Sequence, residues 1–318
     1  MSYLQTAADV YAEAAQTPDS ELCCVSSPVW RLPDLVIPPI MLQMNYGCGS
    51  TVHPRDLKPD DTVLYVGVGG GLEALQFAYF TRRPGSVIAV DPVAAMRDKA
   101  RANLEEAARL NPWFQPDFVT LLDGAAFDLP VPDRSVTITA QNCLFNIFKT
   151  GDLARALGEV VRVLKIGGMF TTSDPVTPAE LPAELQADEQ LRARCIAGCL
   201  TVEQYLQALM DAGFGRVDVR AKFPYRHLDP RDYPALAAPM LLESIEAAAF
   251  KVPDGPDGPA IFTGRTATYT GPDDSFDDAS GTHLRKGIPV VVSDAAALRL
   301  ARVPGIHLTL PTWHAMGG

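Results

Sequence analysis

Three cysteines carry the chemistry this chain advertises. Cys48 sits in Asn45-Tyr46-Gly47-Cys48-Gly49, Cys143 in Gln141-Asn142-Cys143-Leu144-Phe145-Asn146, and Cys195 opens Cys195-Ile196-Ala197-Gly198-Cys199-Leu200. Thiolates bind soft, thiophilic atoms and leave hard cations to carboxylates. Cys48, between two glycines, is a poor core residue. Cys143 follows an expected strand and reads equally well as core. Cys195 and Cys199 lie four apart, which places them on one helix face. Zinc is a weak alternative, because no tetrahedral ligand set with suitable spacing appears elsewhere. The adjacent Cys23-Cys24 pair suits thiol relay or substrate capture better than a disulfide, whose geometry is specific.

Between the first two of these cysteines lies a glycine-rich turn. Val63-Leu64-Tyr65-Val66-Gly67-Val68-Gly69-Gly70-Gly71 reads as a strand entering a tight turn. Glycines there let backbone approach a nucleotide-like ligand closely. Asp91 ends the next strand, 20 residues after Gly71, where a carboxylate can accept from both ribose hydroxyls. A dinucleotide is the rival ligand. Arg162-Val163-Leu164-Lys165-Ile166-Gly167-Gly168 resembles the helix-to-strand turn of class I S-adenosylmethionine-dependent methyltransferases and favours a methyl donor. Two positions depart from that superfamily. Tyr65 replaces the usual acid of the first strand. Ala125, in Asp123-Gly124-Ala125-Ala126, replaces the usual acid that meets adenine. The adenine contact then falls to backbone near Ala126 or to Asp123.

Alternating strands and helices must position these groups. The pattern predicts a helix over 4–16, strands at 62–67, 86–91, 118–122, 135–140 and 169–173, and helices over 72–82, 93–110 and 150–164. A helix over 201–212 and a strand over 216–221 follow. Residues 223–258, rich in proline and aspartate, read as an insertion, and 261–271 as one more strand. Asp273, Asp274, Asp277 and Asp278 form an acidic loop whose spacing does not fit a calcium loop. Strand, helix and strand over 288–293, 294–302 and 306–310 suggest a small terminal module. The fold expected is therefore α/β: a largely parallel Rossmann-like sheet with helices on both faces, an insertion, and a C-terminal α/β extension. Four regions follow: 1–58, an N-terminal segment with Cys23, Cys24 and Cys48; 59–175, the cofactor-binding core; 176–270, with Cys195 and the remaining strands; and 271–318, the extension.

Composition narrows the function. The 318 residues are 47% hydrophobic and 20% charged, enough for a sizeable core. A net charge of -11 argues against nucleic acid or an anionic membrane as partner. No apolar run is long enough to span a bilayer, and the opening Met1-Ser2-Tyr3-Leu4-Gln5-Thr6 has no secretory character. Six cysteines without such a signal point to a reducing, cytoplasmic setting. A monomer acting on a small molecule is expected.

Cys48, Cys143 and Cys195, in this order around the core, resemble the three arsenic-binding cysteines of arsenite methyltransferases. Longer segments resemble a bacterial and cyanobacterial branch linked to arsenosugar and other organoarsenical biosynthesis. They are Leu22-Cys23-Cys24-Val25, Met44 to Gly49, Tyr65 to Tyr79, Gln141 to Phe148, and Thr312-Trp313-His314. Tyr65 is normal for that branch. Ala125 is not, and Cys199 stands where alanine is commoner. The resemblance implies methyl transfer from S-adenosylmethionine to trivalent arsenic, either arsenite or an organoarsenical. It implies Cys48, Cys143 and Cys195 as arsenic ligands and Cys23 and Cys24 as a relay. A thiol reductant, thioredoxin or glutathione, completes the turnover. The cofactor would lie on Tyr46, Gly67, Gly69, Gly71, Asp91, Pro92, Ala125, Ala126 and Asn142. Three thiolates leave the arsenic lone pair free to attack a sulfonium methyl, so no general base is needed. That suits a chain with five histidines and no evident histidine–carboxylate dyad. Two alternatives stay open: a methyltransferase of another small molecule with structural cysteines, and a thiol-based metalloid-binding protein.

Overall fold

The computed structural model describes residues 2–19, 22, 29–255 and 258–312. Cys23, Cys24, Trp313 and His314 lie outside the described residues. In chain order the first half holds α1 (Tyr3–Gln16), α2 (Pro39–Gln43), β1 (Val63–Val66), α3 (Leu72–Thr81), β2 (Val87–Asp91), α4 (Ala94–Leu110), β3 (Val119–Asp123), β4 (Val136–Asn142) and α5 (Thr150–Val163). Then follow β5 (Leu164–Thr177), α6 (Ala183–Ala187), α7 (Glu189–Ala193), β6 (Leu200–Thr201), α8 (Val202–Asp211), β7 (Arg216–Leu228), β8 (Met240–Phe250) and β9 (Ala260–Phe262).

The main sheet runs β3-β2-β1-β4-β5-β8-β7-β9, with β6 paired to β5. Strands β1 to β5 are parallel, and β8 is antiparallel to both β5 and β7. Strand β1 is buried along its whole length because helices cover both faces. Its residues alternate accordingly. Val63 and Tyr65 join a core with α1, α3 and α4, whereas Leu64 and Val66 join a core with α5 and α8. The chain winds from β1 out to β3, then returns to lay β4 on the other side of β1. That reversal opens a crevice at the carboxyl ends of β1 and β4, where open α/β sheets bind ligands. Val66 is level with Gln141, so the glycine turn and Cys143 emerge side by side.

The stretch read as an insertion is sheet. Residues 223–258 contain the end of β7 and all of β8, which sits between β5 and β7. The Glu-Ala-Ala-Ala run of β8 has helical propensity, but burial and pairing on both edges override it. The single strand expected over 261–271 is two, β9 and β10 (Thr266–Tyr269), which belong to different sheets. Gly264, at φ 78°, breaks the run between them. The C-terminal part adds β11 (Ser275–Asp277), β12 (His283–Arg285), β13 (Val290–Val291), α9 (Asp294–Leu300) and β14 (Ile306–Leu308). It has its own small core of Ala267, Tyr269, Leu284, Val292, Ala296, Ala297 and Leu300. Among the described residues, no helix is long and apolar enough to cross a membrane.

Candidate active site

At the crevice lies a cavity of about 310 Å³, at the small end of the range for ligand pockets. The carboxyl ends of β1, β2 and β4, the glycine turn and the loop 44–47 form its walls, and one face of α1 (Leu4, Ala7, Ala8, Tyr11) its roof. Eight of the nine residues expected to hold the cofactor line it: Tyr46, Gly67, Gly69, Asp91, Pro92, Ala125, Ala126 and Asn142. The ninth, Gly71, sits just behind as the N-cap of α3 at φ 86°. Gly69, at φ 51°, has no atom within 4 Å of where a Cβ would stand, so its backbone faces open space.

Asp91 is fixed before any ligand arrives. Its Oδ2 accepts from the Val68 amide at 3.0 Å and its Oδ1 from the Val93 amide at 2.9 Å. Each oxygen keeps a lone-pair position for a hydroxyl. Burial pushes its carboxyl up to about 6, against the pull of those two amides. Binding that needs the ionised carboxylate should therefore be intact above about pH 6 and weaken below it. Calorimetric titration with S-adenosylmethionine from about pH 8 to about pH 5 should show affinity falling only in the acidic half. A flat profile would detach Asp91 from the ligand. Asp123, the other acid considered for adenine, is exposed and paired to Arg97 at 2.9 Å. Ala125, Ala126 and Phe127 present themselves to the cavity instead.

The thiols gather around the end of β4. Cys143 lines the cavity, and its amide donates to the Ser173 carbonyl at 2.7 Å. The Cys195 thiol donates to the Cys143 carbonyl at 3.1 Å, and the Cys195 Sγ lies 3.9 Å from the Tyr11 hydroxyl. The Tyr225 hydroxyl is 3.8 Å from the Cys143 Sγ. Cys48 arrives on the loop above. Its amide donates to Asn142 Oδ1 at 2.9 Å, Asn142 Nδ2 donates to the Gly49 carbonyl at 2.8 Å, and its thiol is 3.5 Å from Ser173 Oγ. All three sulfurs are buried. Cys195 and Cys199 are not on a helix face: α7 ends at Ala193, and both occupy the turns that follow. Among the described residues, no three histidine, cysteine or acidic side chains close into a metal-holding cluster. The cysteines thus surround one strand end without forming a collapsed ligand set.

Backbone strain marks the same place. Only five described non-glycine residues have positive φ, and Cys143 (59°) and Cys195 (58°) are two of them. Such conformations cost about 1–2 kcal/mol and persist where the surroundings impose them. For Cys143 the clamp is visible. Gln141 Oε1 accepts from the Leu144 and Phe145 amides, at 2.9 and 3.2 Å, while Gln141 Nε2 donates to Asp174. Asp174 also accepts from Asn146 Nδ2 and the Tyr205 hydroxyl, both at 2.9 Å. Its carboxyl, fully enclosed, is pushed up to about 6.

The loop over the strands needs its glycines. A Cβ on Gly49 would stand 2.4 Å from Ser173 Oγ and 2.7 Å from Glu246 Oε1. Gly49→Ala should therefore destabilise the fold by about 1–3 kcal/mol, read as a lowered midpoint in thermal or urea denaturation. An unchanged midpoint would mean that the loop does not lie this close to β5 and β8.

Two wall residues were not singled out as ligands from the sequence: Glu73, in the first turn of α3, and Tyr65 beneath it. The signal for Glu73 was a lone charge in the apolar run Leu72-Glu73-Ala74-Leu75. Asp174, Tyr11 and Tyr225 left no such signal, since only the fold brings them to β4.

A glycine turn after the first strand, an acid closing the second, and an antiparallel strand inserted beside the fifth define a class I methyltransferase fold. Residues 64–172 match the methyltransferase domain family. Over 179 residues the chain is 32% identical to an arsenite methyltransferase of Halobacterium salinarum, covering 56% of this chain and 44% of that protein. It is 28% identical over 172 residues to an arsenite methyltransferase of Homo sapiens, covering 53% and 44%. The chain thus spans less than half the length of these curated relatives. An arsenic(III) S-adenosylmethionine methyltransferase from Chlamydomonas reinhardtii shares the fold, with a TM-score of 0.64 and 23% identity over 89% of this chain and 96% of that one.

Proposed function

We propose that this chain transfers a methyl group from S-adenosylmethionine to trivalent arsenic held by Cys48, Cys143 and Cys195. The observation that carries this is the position of Cys143. It lines the cofactor cavity on one side and accepts the Cys195 thiol on its carbonyl, 3.1 Å away, on the other. Thiols and methyl donor therefore meet at one strand end.

The cavity suits that cofactor. Its only charged wall residues among those described are Asp91 and Glu73, so it is anionic and favours a ligand of net positive charge. When bound, S-adenosylmethionine supplies an electrophilic methyl on a sulfonium. Everything else falls to the protein. Asp91 anchors the ribose. Asn142 ties the Cys48 loop to β4. The α1 roof, with Tyr11, excludes water, and the cysteines exchange for oxygen or thiol ligands on arsenic. Each cysteine proton leaves with a displaced hydroxide as water, or on a displaced thiol. The arsenic lone pair would then take the methyl as the S–CH3 bond breaks, its electron pair staying on sulfur in S-adenosylhomocysteine, and arsenic would rise from the trivalent to the pentavalent state. A thiol reductant, thioredoxin or glutathione, returns it to the trivalent state.

Cys23 and Cys24 serve the reduction or delivery of arsenic on this reading, not the transfer itself. With arsenic given as a trivalent thiol complex and excess reductant, the double serine variant should keep substantial methylation. With protein thiols as the only reductant it should stall. Loss under both conditions, with cofactor still bound, would make one of these residues a direct arsenic ligand.

The acceptor is arsenite or an organoarsenical already carrying a carbon chain. Mass spectrometry of products from arsenite, methylated and alkylated arsenicals, offered separately, tests the reading. Methylated product from at least one of them supports it. Cofactor turnover on none of them would favour a methyltransferase of another small molecule with structural cysteines.

A further inference from the structure

We propose that Glu73 binds the ammonium group of the cofactor's methionine moiety, with Tyr65 aligning it. The inference rests on S-adenosylmethionine as the cofactor. Glu73 is 6% exposed and lines the cavity. Its Oε1 accepts from the Thr51 amide and its Oε2 from the Thr51 hydroxyl, both at 2.8 Å. Tyr65 and Asn142 also hydrogen-bond to it, and together these neutral groups fix the carboxylate at the cavity wall.

A buried carboxylate ordinarily has a cation beside it, because leaving water uncompensated is expensive. Among the described residues none forms an ion pair with Glu73; Thr51, Tyr65 and Asn142, which hydrogen-bond to it, are not basic, and the nearby Glu246 carries charge of the same sign. Nor is any described residue lining the cavity a lysine, arginine or histidine. The missing cation must then come with the ligand.

Geometry says which part of the ligand. Tyr65 on β1 pairs with Ala89 of β2 on one side and Ala140 of β4 on the other, so it stands between the strands that lead to Asp91 and to Cys143. The ribose belongs at Asp91, on the β2 side. The reactive methyl must reach Cys143, on the β4 side. The amino-acid tail then passes over β1, beside Tyr65 and Glu73. Burial pushes the Glu73 carboxyl up, while its place in the first turn of α3, where the helix dipole favours a negative charge, and an arriving ammonium group both favour the ionised form.

The test is calorimetry with three ligands: S-adenosylmethionine, S-adenosylhomocysteine and 5′-methylthioadenosine. The first two carry the ammonium group and the third lacks it. In Glu73→Gln, affinity for the first two should fall at least about tenfold, while 5′-methylthioadenosine should stay within about twofold. Unchanged affinity for all three overturns the proposal. So does equal loss for all three, which marks damage to the loop, and so does loss for S-adenosylmethionine alone, which assigns Glu73 to the sulfonium. If the variant fails to fold, the unaltered protein decides. A deaminated S-adenosylhomocysteine should bind it at least about tenfold more weakly than the parent compound, and equal affinity overturns the proposal. Binding of none of these ligands by the unaltered protein would instead remove the cofactor reading, and this inference with it.

Discussion

Cys143→Ser should abolish methylation of trivalent arsenic, by more than about 100-fold, while S-adenosylmethionine binding stays within about twofold. Serine is close to cysteine in size and fits the same turn. It is, however, a hard, protonated donor for which arsenic has little affinity. The Cys143 side chain lines the cavity, but the bonds that hold its turn come from Gln141, Asp174 and the Ser173 carbonyl, and none needs sulfur. Cofactor binding and arsenic binding are therefore separable at this residue. Cys48→Ser should behave alike, because its amide, not its thiol, bonds to Asn142. Cys199→Ser should change activity little, since a serine hydroxyl can keep the bond that its thiol donates to the Cys195 carbonyl at 3.5 Å. Rates from product analysis, with affinities from calorimetry on the same variants, check all three. Full activity in Cys143→Ser would return that residue to the core.

The second large effect belongs to Asp91. Asp91→Ala should weaken S-adenosylmethionine binding by about 1.5–3 kcal/mol, the worth of charge-assisted hydrogen bonds to the ribose. The variant removes a carboxylate and also frees the Val68 and Val93 amides that it now satisfies. Asp91→Asn separates these effects, because its amide oxygen can keep one backbone bond while the negative charge is gone. The loss should be smaller than for alanine but in the same direction. Calorimetry showing unchanged affinity in both variants would remove Asp91 from the site.

Much of this site was legible because its signals are local. A strand running into Gly67, Gly69 and Gly71 with Asp91 at the next strand end is readable as spacing, and β1 and β2 form within a residue or two of the expected positions. The cysteine at 48 was readable from its flanking glycines, which the structure explains by contact with Asn142, Ser173 and Glu246. The sheet beyond β5 was not legible. Strand β8 carries two glutamates and an alanine run, and only pairing with β5 and β7 makes it a strand. The turns bearing Cys195 and Cys199 were misread as helix because a four-residue spacing fits both. What decides is the buried Arg192, whose guanidinium donates to the Gln186 and Ala197 carbonyls at 2.9 and 3.4 Å and shapes those turns. Glu73 is not legible as a ligand, since its burial and the absence of a basic partner among the described residues are properties of the fold and not of the string of letters.

Single-turnover labelling follows the methyl group itself. The protein, in excess over S-adenosylmethionine carrying a deuterated methyl group, is mixed with arsenite or an alkylated arsenical as a trivalent thiol complex and quenched. The arsenic species are then resolved by mass spectrometry. Deuterated methyl should appear on arsenic in amounts matching the S-adenosylhomocysteine formed, and none should appear with the Cys143→Ser protein. Bound cofactor with no arsenic–carbon bond formed, or label transferred equally well by Cys143→Ser, would contradict methyl transfer to cysteine-held arsenic.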